Sequence, residues 1–284
     1  MLKKKLFVFC IVLGLFAALI IWTVWGNTAL ELNTYTVTSE KIPFAFDGYR
    51  IAQVSDLHNA EMGTQNEALL TLLEETKPDL IALTGDLIDS YDTDLEISFS
   101  FVKKAMEIAP CYYVTGNHEA RLPENVLMAF EKQLSQIGVI ILRDEAVLLE
   151  KEGARISLVG IDDPGYASKY GGGIGASEIK LLTEEDSFTV LLSHRPEHFQ
   201  KYVAAEVDLV LSGHAHGGQF RLPFLGGLYA PNQGLFPQYD AGMYTEGKTR
   251  MIVSRGIGNS IIPIRFNNRP ELILVELCCE KELP

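Results

Sequence analysis

Five of the six histidines lie in or between short clusters with Asp, Asn and Gly. The clusters are Asp56-Leu57-His58, Gly85-Asp86-Leu87-Ile88-Asp89, Gly116-Asn117-His118-Glu119 and Gly213-His214-Ala215-His216, with a lone His194 before the last. Carboxylate oxygen, amide oxygen and imidazole nitrogen are the donors that hard and borderline divalent cations accept. On an extended segment residues two apart share a face, so Asp56 and His58 can clasp one ion, and His214 and His216 repeat the spacing. Gly85 and Gly116 permit close backbone approach beside a carboxylate and an amide. Each cluster alone has a bland reading: a surface turn with an incidental histidine, or an ordinary strand-to-turn signal. Together, in this order, they point to a metal centre with more than one ion.

Such ligands need elements that bring them together. Apolar runs at 50–54, 80–83 and 112–114 read as buried strands, separated by amphipathic helices at 65–76, 95–108 and 124–137. A strand at 139–142 follows, and strands at 156–159, 189–192, 209–211, 251–253 and 272–275 make the second half richer in β-structure. This is an α/β pattern with helix-covered sheets. The clusters fall just after Val54, Leu83, Val114, Leu192 and Leu211. Ligands at the carboxyl ends of successive strands converge on one sheet edge, where open α/β folds place their sites.

The net charge of the 284-residue chain is −13, which argues against a nucleic-acid groove. It does not argue against a phosphate substrate, because bound divalent cations reverse the local sign. The four cysteines form no disulfide framework: Cys278 and Cys279 are adjacent, Cys10 lies in an apolar run and Cys111 in a strand.

Leu6 to Trp25 is an uncharged run of membrane-spanning length. Lys3, Lys4 and Lys5 precede it and no basic cluster follows closely, so the positive-inside tendency exports everything after Trp25. The expected division is an uncleaved anchor at 1–28 and one large domain at 29–284, joined by a polar link at 27–40. A cleaved signal peptide is the competing reading, against which stand a long apolar region and only a weak cleavage site at Val24-Trp25-Gly26.

The order Asp-x-His, Gly-Asp-x-x-Asp, Gly-Asn-His-Glu, His, Gly-His-x-His resembles the calcineurin-like metallophosphoesterase superfamily over Ile51 to His216. Arg221-Leu222-Pro223, Ser254-Arg255-Gly256-Ile257-Gly258 and Pro263-Ile264-Arg265-Phe266 are similar to its bacterial membrane-associated, YaeI/YkuE-like branch. No twin-arginine pair precedes the apolar run, so the export route of some relatives is not implied. The resemblance implies a four-layer α/β/β/α sandwich behind one transmembrane helix. It implies two divalent ions, the first held by Asp56, His58 and His216, the second by Asn117, His194 and His214, with Asp86 shared. His118 would then donate to the leaving group and Asp89 would orient it, although Asp89 also reads as a helix N-cap. Mixed nitrogen and oxygen donors suit Mn, Fe, Zn or Co.

The implied activity is phosphodiester hydrolysis on a lipid-linked or envelope-associated phosphate ester, with the domain outside the cytoplasmic membrane. The alternatives are a pyrophosphatase of the UDP-diacylglucosamine hydrolase type and a non-catalytic metal-binding scaffold. Arg195, Arg255 and Arg265 read either as a phosphate clamp or as structural ion pairs. Tyr166 to Gly175, with its glycine run Gly171-Gly172-Gly173, lacks a P-loop ending and reads as a mobile loop at the site. Leu222 to Tyr239, apolar and rich in Pro and Gly, reads as a seat for a lipid tail or as an irregular packed loop.

Overall fold

The structure, a computed structural model, describes residues 2–170, 174–184, 186–259 and 262–280. The glycine run at 171–173 lies outside them. Helices are α1 (Leu2–Thr28), α2 (Glu67–Glu75), α3 (Leu95–Ala105), α4 (Asn117–Arg121), α5 (Glu124–Gln136), α6 (Pro164–Tyr170), α7 (Ala176–Leu181) and α8 (Phe199–Ala204). The strands of the first half are β1 (Glu31–Ser39), β2 (Tyr49–Val54), β3 (Leu80–Thr84), β4 (Cys111–Val114), β5 (Ile140–Ile141), β6 (Glu145–Lys151) and β7 (Ala154–Gly160). There follow β8 (Thr189–Leu192), β9 (Leu209–Ser212), the short pairs β10 (Arg221–Leu222) with β11 (Gly226–Gly227) and β12 (Tyr229–Ala230) with β13 (Gly234–Leu235), then β14 (Gly242–Glu246), β15 (Thr249–Val253) and β16 (Glu271–Cys279).

Among the described residues two six-stranded sheets form, ordered β1-β16-β2-β3-β4-β5 and β14-β15-β9-β8-β7-β6. Strand alternation explains the layers. In β3, Leu80 and Ala82 face the other sheet while Ile81 and Leu83 face the helices; in β9, Leu209 and Leu211 face inward and Val210 outward. One apolar cluster therefore joins the first sheet to α2, α3 and α5, a second lies between the sheets, and a third packs β8, β9 and β15 against α7 and α8. The result is the expected α/β/β/α sandwich. Strands buried on both faces read as continuous apolar runs, which is why these were legible.

The polar link expected at 27–40 is instead the end of α1 and a full strand. Glu31 to Ser39 pairs in parallel with Glu271 to Cys279 along its whole length. It lies at the sheet edge with alternate residues toward solvent, so Thr and Asn mask its β-branched alternation. The same reason hid β6 and β14, the edge strands of the second sheet. Helix α1 makes no core, and its apolar side chains are exposed along its length.

Candidate metal centre

Strands β2, β3 and β4 run parallel, as do β8 and β9, so their carboxyl ends open on one edge. Asp56 and His58 follow β2, Asp86 follows β3, Asn117 opens α4 after β4, His194 follows β8, and His214 and His216 follow β9. All seven are buried. The backbone turns sharply there: Asp56, His58, Asp86, His214 and His216 all have left-handed φ, between 46° and 67°. That conformation costs a non-glycine residue about 1–3 kcal/mol, and it collects at functional sites.

The side chains form two adjoining groups. His58 Nε2 lies 3.2 Å from His216 Nε2 and 3.5 Å from Asp86 Oδ2, and His216 Nε2 lies 3.4 Å from Asp56 Oδ1. In the second group His194 Nε2 is 3.2 Å from the same Asp86 Oδ2, and the His194 and His214 ring centroids are 5.0 Å apart. Asp86 therefore reaches both. Its place is fixed by Glu119, whose carboxylate accepts the backbone N–H groups of Asp86 (2.9 Å), Ile88 (3.1 Å) and Gly116 (2.8 Å). Glu119 closes the Gly116-Asn117-His118-Glu119 motif, where its type alone assigns it no task. Gly116 lies so close that a β-carbon there would stand 2.2 Å from Asp86 Oδ1.

These donors suit cations. His194 Nδ1 lies 2.8 Å from the carbonyl of Thr84 and donates to it, so the neutral ring presents a bare Nε2 lone pair to a carboxylate oxygen. Two electron-pair donors face each other at 3.2 Å, and a shared metal cation reconciles them. With no metal, a proton serves: burial opposes it, but Asp86, backed by Asp56 and Asp163, pushes His194 up to about 10. Burial likewise resists ionisation of Asp86, yet the neighbouring His194 holds its carboxyl well below the usual range. Burial, against the pull of Asp86, keeps His58 well below its ordinary value, and burial also lowers His214 and His216. Asn117 Oδ1 and His194 Nε2 are buried with no hydrogen-bond partner. Burial and Asp86 push Glu119 up to about 8, against its backbone hydrogen bonds.

Around this core stand further groups. His118 packs edge-on to His58 with ring centroids 4.4 Å apart. The Ser90 N–H donates to its Nδ1 at 3.0 Å, while Arg121 Nη1 stands 3.3 Å from its Nε2. A neutral imidazole accepts at one nitrogen only. The shorter contact is the backbone donor at Nδ1, which assigns the proton of a neutral ring to Nε2. Asp89 Oδ1 is 3.4 Å from His118 Nδ1, an electrostatic contact, and it accepts the Tyr91 N–H at 2.8 Å. It thus shapes the turn that aims Ser90 at His118, and the helix N-cap of α3 is Asp94 instead.

His214 Nε2 is 2.9 Å from Asn232 Oδ1, which also accepts from Arg195 (2.7 Å); Arg195 is paired with Asp163. A ring that ligates through Nδ1 donates its Nε2–H to such a partner, which orients it. Asn232 and Asp163 escaped the sequence reading. Asp163 carried a faint signal, a carboxylate just beyond a buried strand; Asn232, in an irregular loop, carried none. Arg255 is committed to Glu31 and Glu271, and buried Arg265 donates to Asn259 Oδ1 and the carbonyls of Arg255 and Gly258. The arginine that borders the pocket is Arg121. That pocket, about 230 Å³, is lined by Asp86, Asn117, His118, His214 and His216 below and by Tyr229, Pro231 and Ile262 at its mouth.

The calcineurin-like phosphoesterase family profile matches residues 49–218. The chain is 31% identical over 254 residues to the uncharacterized metallophosphoesterase YkuE of Bacillus subtilis, covering 87% of this chain and 85% of that protein. It is 29% identical over 236 residues to phosphodiesterase YaeI of Escherichia coli, covering 81% and 82%. A bovine relative, 28% identical over 85% of this chain and 55% of its own length, is named a transmembrane protein with metallophosphoesterase domain. Among solved structures, the Thermus thermophilus sulfate thiohydrolase SoxB superposes with a TM-score of 0.51 at 14% identity, over 84% of this chain and 57% of that one, a likeness of fold. With donors for divalent cations gathered at the sheet edge the profile covers, the chain belongs to the calcineurin-like phosphoesterase family and is a metal-dependent phosphoric ester hydrolase.

Proposed function

We propose that the protein is a two-metal phosphodiesterase acting on a lipid-linked or envelope-associated phosphate ester. Asp56, His58 and His216 hold one ion, Asn117, His194 and His214 the other, and Asp86 both. The observation that carries this is the position of Asp86 Oδ2, within 3.5 Å of an imidazole nitrogen in each group. When bound, divalent ions acidify a water nucleophile and act as Lewis acids on the phosphoryl oxygens. The chain's own residues do the rest. His118, with Nε2–H beside the pocket, gives its proton to the departing oxygen; the Ser90 N–H at Nδ1 keeps the ring in that tautomer, and Asp89 shapes the turn that carries Ser90. Arg121 lines the pocket as a cation for the remaining phosphate charge. The pocket mouth is apolar, which suits an ester with a non-polar arm.

Residues 1–28 serve as an uncleaved anchor and 29–284 as the catalytic domain, held outside the cytoplasmic membrane. The bonding of the helix end to the domain supports retention of the anchor. The test is turnover by metal-replete protein on matched diester, monoester and pyrophosphate substrates, with elemental analysis of the same samples. Diesters are expected to lead, with two ions per chain. A clear lead for the pyrophosphate moves the enzyme to the UDP-diacylglucosamine hydrolase type, and one ion at full activity removes the two-metal assignment.

A further inference from the structure

The last turn of α1 is bonded to the rim of the pocket. Asn27 Nδ2 donates to the carbonyl of Arg265 at 2.9 Å, and the Arg265 N–H donates back to Asn27 Oδ1 at 2.7 Å. Arg269 lies over the Trp25 ring at 4.7 Å, donates from Nε to the carbonyl of Ala29 at 2.9 Å, and bonds the carbonyl of Leu30. These contacts tie the last turn of α1 and the two residues after it to the domain.

The gripped segment is itself the pocket mouth. Ile262 lines the pocket, and the carbonyls of Ile262 and Ile264 accept from Gln219 Nε2 at 2.8 and 2.9 Å, three residues beyond His216. The chain continues from Arg265 to Phe266, whose carbonyl takes the Arg221 N–H at 2.9 Å. That bond seats the β10–β11 hairpin, with Phe224 and Leu225 at its tip, beside the helix end. Leu228 joins Phe220 and Phe236 joins Leu228 through backbone bonds of 2.8 and 2.9 Å, which brings in Leu235 and Phe236. Phe224, Leu225, Leu235, Phe236, Ile262 and Ile264 are all exposed. None of the first four lines the pocket. Exposed apolar residues on backbone-bonded segments beside one pocket differ from singly scattered ones and mark a contact surface.

What covers it follows from the helix. Leu6 to Trp25, at 1.5 Å per residue, measures about 30 Å, the thickness of a hydrocarbon core. Asn27 then lies at headgroup level, and whatever it clasps lies there too. We infer that the apolar rim formed by Phe224, Leu225, Leu235, Phe236, Ile262 and Ile264 rests in the interfacial layer of the bilayer that α1 spans, with the metal pocket opening into the headgroup plane. This rests on the membrane reading of α1 and deepens the lipid-linked reading of the site: the scissile phosphate need not leave the headgroup layer to reach Asp86 and His118. It also limits the substrate to esters whose phosphate sits close to the acyl boundary.

The test uses the full chain in phosphatidylethanolamine–phosphatidylglycerol vesicles doped with a diazirine phospholipid, photolysed and mapped by peptide mass spectrometry. Label is expected in α1 and in the 222–236 and 262–266 segments. Phe224→Ser with Leu225→Ser is expected to cut rim label severalfold while turnover of a small soluble diester is kept, which shows a folded site. Asn27→Ala is expected to reduce rim label and leave α1 label intact. Label confined to α1, or a rim cross-linked to a second copy and shielded from lipid, overturns the inference; so does unchanged rim label in Asn27→Ala. Absence of label from α1 overturns the anchor reading as well. Rim label without hydrolysis of any phospholipid or lipid-linked diester keeps the surface and removes the lipid substrate, so the two failures are distinct.

Discussion

Gly116→Ala is the sharpest probe of how the fold places its shared carboxylate. A β-carbon built on Gly116 stands 2.2 Å from Asp86 Oδ1 and 2.4 Å from Asp86 N. Comfortable contact is above 3 Å, so one side must retreat by about 1 Å. Gly116 is tied to Glu119 by its own N–H, and Asp86 is tied to Glu119 and to the His118 N–H, which Asp86 Oδ1 accepts at 2.8 Å. No flexible side-chain tip is available to absorb the clash, and the loss falls on the Asp86 carboxylate and on the turn holding Asn117 and His118. A misplacement of about 1 Å at reacting groups costs about 10²-fold in turnover. Overpacking adds about 1–3 kcal/mol of destabilisation. Turnover of an aryl phosphodiester, metal content by elemental analysis and the unfolding midpoint in detergent read the three consequences. A stable Gly116→Ala protein with full metal and near-parental turnover would refute the claim that this contact sets Asp86.

Four further outcomes follow from the same geometry. Asp86→Asn is expected to lower occupancy of both ions and His58→Ala mainly of one; two full ions in purified Asp86→Asn contradict the shared-ligand role. His118→Ala is expected to keep its metal and lose about 10²–10⁴ in turnover on an ester with a poor leaving group, and less on an activated aryl ester; equal losses on both contradict proton donation. Burial raises the Asp162 carboxyl from 3.8 to about 6, against the attraction of Arg143. Its stabilising contribution is therefore complete below about pH 4 and lost as pH rises through 6, so Asp162→Asn should gain up to about 3 kcal/mol at pH 7–8 and flatten the unfolding profile between pH 4 and 6; an unchanged profile contradicts the shift. An alkaline-phosphatase fusion at the carboxyl end should be active and a fluorescent reporter that matures only in the cytoplasm dark; the reverse places the site on the cytoplasmic side.

The sequence exposed the centre of this fold more clearly than its margins, for a physical reason. Strands β3, β8 and β9 are buried on both faces and are mostly apolar, as is β2 apart from Arg50 and Gln53, and the parallel run forces their ligands to one edge. Edge strands β1, β6 and β14 keep one face in water, so their polar residues resemble linkers. The donors themselves were legible by type and order. Their supports were not: Glu119 acts through three backbone N–H groups that are distant in sequence, and Asn232 reaches His214 from an irregular loop. The clasp between Asn27 and Arg265 spans 238 positions and has no local pattern to announce it.

Backbone conformation adds what residue types could not. Asp56, His58, Asp86, His214 and His216 occupy left-handed φ although none is glycine. Each would relax by about 1–3 kcal/mol in an unconstrained chain, so the surrounding contacts must over-determine them. Those contacts are visible: His58 N–H is bonded to the Asp86 carbonyl, Asp56 N–H to the Gly85 carbonyl, and His214 N–H to the Asp56 carboxylate. Each strand-end turn is thus fastened to its neighbour, and the ligand groups form one hydrogen-bonded ring of turns. At Asp86 and His194 the facing acceptors need a positive charge between them, which a proton supplies in the absence of a metal. The same contacts hold the turns with or without an ion, so the strain goes into keeping the donors in place. A divalent cation entering the site would displace the proton from His194 and meet ligands already assembled for the state in which the phosphoesterase works.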